Sequence, residues 1–169
     1  MVDNIPIHDV WMTTKRIETL VDGVFAIAMT LLVLSIPLPQ IPGYATNLQL
    51  WNYLVGLSQQ LWIYAFSFLL LASFWRAHHM QFFLIKQSDS VLIWINLLWL
   101  MFVALVPFSA NFVTNYGSHQ LAMLFFNFNM LIIGIFYIVN WTYADKKHFF
   151  IKELSQEQNS LQKRLNLIN

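Results

Sequence analysis

The side chains able to do chemistry in this sequence are few, and most of them interrupt long apolar stretches. Asp22 is the clearest, followed by Gly23 and then by an unbroken apolar run from Val24 to Met29. A carboxylate at such a place is costly in hydrocarbon, so it marks either function or a fixed partner. Arg16 precedes it by six residues, about 600° of helical rotation, so the two do not share a face. Each must find its partner on another helix or at the headgroups. The plainer reading makes Lys15 and Arg16 interfacial anchors and Asp22 a helix-start charge favoured by the dipole. Further along stands Trp75-Arg76-Ala77-His78-His79. Adjacent histidines point about 100° apart on a helix, which is not the i, i+4 spacing of a metal pair. A hydrogen bond from His78 or His79 to a polar group of the first helix fits them better. Asn96, Asn127 and Asn129 also fall inside apolar stretches, where they are expected to face protein and bond between helices. Gly23, Ile27, Thr30, Leu31 and Leu34 recur at spacings of three and four, so they form one stripe. Such a stripe is ordinarily a packing face. If copies of this helix surrounded an axis, it would instead form aliphatic rings, a constriction that gates by dewetting.

The elements that must position these residues are membrane helices. The chain has 169 residues, 58% hydrophobic and 10% charged, against about 25% charged in an ordinary soluble domain. So little charge cannot cover a water-facing surface, and lipid is the expected solvent. A net charge of +1 suggests neither nucleic acid nor an acidic substrate. The absence of cysteine excludes disulfides and thiolate chemistry. Residues 1–15 are too polar for a signal peptide. Four stretches reach the roughly 20 residues that a bilayer core requires: about 17–36, 51–75, 91–113 and 121–143. Pro37 and Pro39 close the first. The fold class is therefore an all-α integral membrane protein, with a transmembrane domain over 1–145. A polar tail over 146–169 is expected to form a short amphipathic helix on the membrane surface or against a partner. Every lysine and arginine lies before the first stretch, between the second and third, or after the fourth. That asymmetry places both termini in the cytoplasm.

Motifs of soluble chemistry are missing. There is no Walker motif, no His-Glu-x-x-His and no Thr-Val-Gly-Tyr-Gly potassium filter, and no arginine run suggests a voltage sensor. An enzyme is not expected.

Three blocks, in order and in register, carry a family likeness. Arg16-x-x-x-Leu20-Val21-Asp22, with the apolar run behind it, resembles the first-helix signature Arg-x-x-x-Phe-Ser-Asp of the transmembrane protein 175 family, the lysosomal potassium channels and their bacterial homologues. Ser73-Phe74-Trp75-Arg76-Ala77-His78-His79 resembles that family's Phe-Trp-x-x-His-His stretch. The segment from Ile95-Asn96 to Pro107-Phe108-Ser109 resembles its third-helix block. The resemblance implies a homotetramer whose pore is lined by the first helix. It aligns Ile27 with the narrowest ring, Leu31 and Leu34 with the following layers, and Thr30 with a threonine implicated in cation selectivity. It aligns Arg16 and Asp22 with signature residues that hold the first helix, and Trp75, His78 or His79, and Asn96 with their network. The implied permeant ion is potassium, with no other cofactor and a bacterial or archaeal plasma membrane as the site. Leu20-Val21 replaces Phe-Ser, removing an aromatic contact and a hydroxyl. The family has six spans per subunit, so a four-span chain reads as a truncated or naturally short form. A non-conducting membrane scaffold is the alternative. A proton-coupled transporter using Asp22 is a third reading, for which no inverted repeat or broken helix speaks.

Overall fold

The computed structural model describes residues 14–37, 43 and 46–150. The expected amphipathic tail falls outside these residues from 151 onward. Within them lie six α-helices: α1 Thr14–Leu31, α2 Asn47–Gly56, α3 Ser58–Leu84, α4 Ser90–Ala104, α5 Val106–Tyr116 and α6 Gln120–Lys146. A 3-10 turn, Leu32–Ser35, prolongs α1.

Three of the resulting helices are long and apolar enough to cross a membrane, Thr14–Ser35, Ser90–Tyr116 and Gln120–Lys146. A fourth crossing appears if α2 and α3, bent by 47° at Leu57, form one span. The stretch 51–75 expected from hydropathy is therefore differently built. α2 starts earlier because Thr46 and Gln49 form a capping box, the Gln49 amide donating to the Thr46 hydroxyl at 3.3 Å and the Thr46 amide to Gln49 Oε1 at 2.8 Å. α3 then runs on to Leu84, because Met80-Gln81-Phe82-Phe83 holds no breaker, and it ends where Ile85 turns extended. Trp75 and the two histidines thus lie within a helix rather than at its end. The expected third span, 91–113, is divided at Leu105. Pro107, in the first turn of α5, lacks an N–H, and its ring opposes the carbonyl four residues back.

The core explains how α1 is held. Ile17, Val21, Phe25, Ala28 and Leu32, spaced by four, four, three and four, are all buried. They pack α1 against α3 and α4, while the 3-10 turn packs on α5 and α3. α4 and α5 lie in turn against α6. Phe25 meets Trp99 of α4 with ring centroids 5.4 Å apart. α2 buries no residue and stands off the bundle.

The end of the bundle where α1 begins carries Lys15, Arg16, Lys86, Lys146 and Lys147 and is tied by short links. Asp89 caps α4 by accepting from the Leu92 amide at 2.8 Å. Tyr143 of α6 donates to the other Asp89 oxygen at 2.6 Å. The Lys86 amide donates to the Phe149 carbonyl at 2.8 Å, beside an antiparallel bridge between Ile85 and Phe150. Asp89 titrates below the usual carboxylate range. Its partial burial opposes this, and the Tyr143 hydroxyl and Leu92 amide, which bond to the charged form, outweigh it.

Candidate functional site: a polar chain beneath an exposed stripe of α1

The face of α1 opposite its buried stripe has no partner among the described residues. Ile27 is 61% exposed, Leu31 43% and Leu34 72%, and Gly23 and Thr30 are exposed as well. All five residues of the stripe seen in the sequence therefore point out of the bundle together. The Thr30 hydroxyl donates to the Ile27 carbonyl at 2.8 Å. With its proton committed to the backbone, the oxygen presents lone pairs outward, which suits a cation and not an anion.

Toward the start of α1, Asp22 accepts a hydrogen bond from the Trp75 indole, Nε1 to Oδ1, at 2.8 Å. This bond joins α1 to α3 and fixes the rotation of α1 about its axis at that level. Glu18, Val21, Asp22, Trp75, His78 and His79 line one small crevice between the two helices. Arg16 lies on the same helix, six residues before Asp22.

The histidine pair divides its tasks. His79 is exposed and stacks on Trp75, centroids 6.1 Å apart. His78 is buried, sandwiched between Phe82 at 4.4 Å and Trp99 at 4.6 Å. Its Nε2 lies 2.9 Å from Asn96 Oδ1. Asn96 in turn donates from Nδ2 to the Leu92 carbonyl at 2.8 Å and to Asn140 Oδ1 at 2.9 Å. Asn140 donates to Gln81 Oε1 at 3.1 Å, and Gln81 donates to the Tyr137 carbonyl at 3.1 Å. The two backbone carbonyls can only accept, so they fix the sense of every amide between them. Asn96 Oδ1 must then accept, and His78 Nε2 carries a proton. The chain binds α3, α4 and α6 through directional bonds, each amide engaged at both its oxygen and its nitrogen.

Trp75 and Asp22 are thus in direct contact, His78 and Asn96 likewise, and the crevice brings the first pair beside His78. Gln81 and Asn140 had drawn no notice in the sequence. Both carried a signal: Gln81 follows His78 by three residues, and Asn140 shares the buried stripe of Phe126, Asn129, Ile133 and Ala144. Asn127 departs from expectation. Asn129 is buried, donating to the Ser109 hydroxyl at 3.4 Å, but Asn127 is exposed. Two residues apart on a helix is about 200°, so both cannot face the core.

The chain is similar to known proteins over most of its length. Residues 16–107 match the family model for the endosomal/lysosomal potassium channel TMEM175. A potassium channel of Streptomyces collinus is 33% identical over 140 residues, covering 80% of this chain and 66% of that protein. One from Chamaesiphon minutus is 38% identical over 116 residues, covering 64% of this chain and 53% of that protein. The chain thus spans about half to two thirds of the length of these relatives. The crystal structure of a lysosomal potassium-selective channel TMEM175 homolog from Chamaesiphon minutus superposes with a TM-score of 0.71 at 31% identity, over 92% of this chain and 83% of that one. With the matched segment running from Arg16 through Asp22, the two histidines and Asn96 to Pro107, this chain belongs to the TMEM175 family.

Proposed function

We propose that the chain is a subunit of a potassium-permeable membrane channel whose pore is lined by the outward stripe of α1. The observation that carries the reading is the division of α1 into two faces. One is fully packed. The other exposes Ile27, Leu31 and Leu34 around a single outward hydroxyl oxygen, Thr30. Four copies around an axis would turn that stripe into rings. Ile27 and Leu31 would form a dewetting constriction, Leu34 a further layer, and Thr30 oxygens would partly replace lost water. Potassium sheds water more readily than sodium, so a narrow, weakly coordinating constriction favours potassium, and the selectivity is modest.

The remaining residues hold that geometry. Asp22 and Trp75 set the rotation of α1, while His78, Asn96, Asn140 and Gln81 keep the helices behind it from shifting. Arg16 belongs by family likeness to the same network. The distribution of basic residues supports cytoplasmic termini, and the family's bacterial members support a plasma membrane of bacterial or archaeal type. The homotetramer and the permeant potassium ion come from the family, whose named members are potassium channels.

The test is potassium efflux from liposomes holding the purified chain, against sodium-loaded and protein-free controls. Efflux well above both is expected, and Ile27→Asn, which wets the constriction, should raise it at least threefold. Folded, inserted protein without flux would overturn the reading in favour of a non-conducting scaffold. Flux unchanged by Ile27→Asn would retain a channel and remove the constriction from Ile27.

A further inference from the structure

Away from α1, a cleft of about 210 Å³ opens between the first half of α3, the end of α5 and the start of α6. Gln59, Ile63, Phe66 and Ser67 line one side, and Val113, Met123, Phe126 and Asn127 line the other. No charged residue contributes to it. Phe66, 59% exposed, is part of this lining, so the cleft reaches the outer surface of the bundle. Ser67 is fully buried, yet its hydroxyl has no hydrogen-bond partner among the described residues.

Gln60 Oε1 and Asn129 Oδ1 are also buried without a partner among the described residues, but for a helical hydroxyl the orphan is unusual in this molecule. Ser35 donates to the Leu32 carbonyl at 2.7 Å, Ser73 to Leu69 at 2.8 Å, Ser109 to Val106 at 2.9 Å and Thr114 to Ala110 at 3.0 Å. Back-bonding to the preceding turn is the ordinary resting place of a helical hydroxyl in an apolar setting. Ser67 lines the cleft instead. The Asn127 amide, on the facing wall, makes no hydrogen bond with the described residues either. A buried donor is normally met by something.

We infer that this cleft is a binding site for a small, neutral amphiphile that enters from the membrane: an apolar body with one hydrogen-bonding oxygen. Three properties select that class. The uncharged lining rejects ions. Apart from Gln59, Ser67 and Asn127 the walls are apolar, too few polar groups to satisfy several waters, each of which needs two to four partners. A bare alkyl chain would fill the space but leave the Ser67 hydroxyl unmet. Ser67 lies nine residues into α3, about 14 Å along its axis. The uncharged lining disfavours a charged headgroup, whereas an alcohol, ether or ketone reaches it by partitioning.

The probe is a diazirine-bearing octanol, photoactivated on the full chain in liposomes, with labelled residues read by mass spectrometry. Label should concentrate on Ile63, Phe66 and Met123 and be competed by octanol at least fivefold better than by octane. Ser67→Ala should abolish that preference while some label persists. Ile63→Trp, which fills the cleft, should remove the concentrated label. Ser109→Ala, a buried serine off the cleft, should leave the preference intact and serves as the control for folding. Label spread evenly over all lipid-facing residues would overturn the site. Equal competition by octane, or an unaltered octanol preference in Ser67→Ala, would overturn the role of the hydroxyl. None of these readouts requires ion flux, so the site stands or falls separately from the channel.

Discussion

At the basic end of the bundle, His78, Asn96, Asn140 and Gln81 form a closed sequence of bonds that begins on an imidazole and ends on a backbone carbonyl. Elsewhere, among the described residues, Ser67 is buried without a partner and the α1 stripe from Ile27 to Leu34 is left uncovered. The first region is over-determined: moving any member costs its neighbour a bond that no water replaces. The second is open, with apolar side chains that constrain little. A helix bundle needs the first to hold shape in lipid, where apolar packing alone distinguishes poorly between rotations of one helix. It needs the second wherever something must pass or bind.

The largest effect should come from breaking the closed region. Asn96→Leu removes the acceptor for His78 and the donor for Asn140 in one step. It should cost about 2–4 kcal/mol, because two buried groups are left unmet. Thermal unfolding in detergent, followed by tryptophan fluorescence, measures it. A loss below about 1 kcal/mol would show that the polar chain is ornamental to stability. Gln81→Leu, nearer its end, should cost less than Asn96→Leu.

Trp75→Phe tests the link between the two regions. It keeps the ring and removes the indole donor to Asp22, an exposed bond, so about 1 kcal/mol is expected. The more telling readout is amide hydrogen exchange, which should quicken over the first turns of α1 and remain slow in α4 and α6. Uniform quickening would mean that the bond supports the whole bundle rather than the rotation of one helix.

Asp89 ties the ends of α4 and α6, and Asp89→Ala should cost about 1 kcal/mol, the ordinary worth of an N-cap. Here pH supplies a second check. The folded carboxyl titrates below its unfolded value of about 3.9, so its contribution is complete above that pH and is lost as pH falls through the lower folded value. The gap between wild type and variant should be constant near neutrality and close in acid. A gap that widened in acid would reverse the assignment.

The long apolar stretches, and the burial of Asn96 and Asn129 within them, were legible in the sequence because lipid imposes both. The divisions of those stretches were less so. Pro107 and the Thr46-to-Gln49 capping box were local signals hidden by uninterrupted hydropathy. Asn140 and Gln81 escaped because lipid and core are both apolar, and periodicity then fades: α6 alternates Phe, Leu and Ile on every side. Asn127 and Asn129 look alike in composition and differ only by their helical angle. The stripe of α1 was readable from its spacings of three and four, while nothing among the described residues covers it.

The smallest expected effect is also the sharpest test of that last point. Ile27→Asn places an amide on the exposed face of α1. If this face meets lipid, the amide has no partner, and burying it there should cost about 2 kcal/mol or more. If the face meets a water-filled axis, the amide is solvated, and the change should stay within about 0.5 kcal/mol, as for a surface position. We expect the smaller value, measured by the same unfolding assay in the assembled state. Paired with raised potassium efflux, near-neutral stability would identify the stripe as wet, since a lipid-facing helix has no means of accepting a polar side chain at so little cost. A large loss with unchanged oligomer and flux would instead place Ile27 against acyl chains and move the pore to another face.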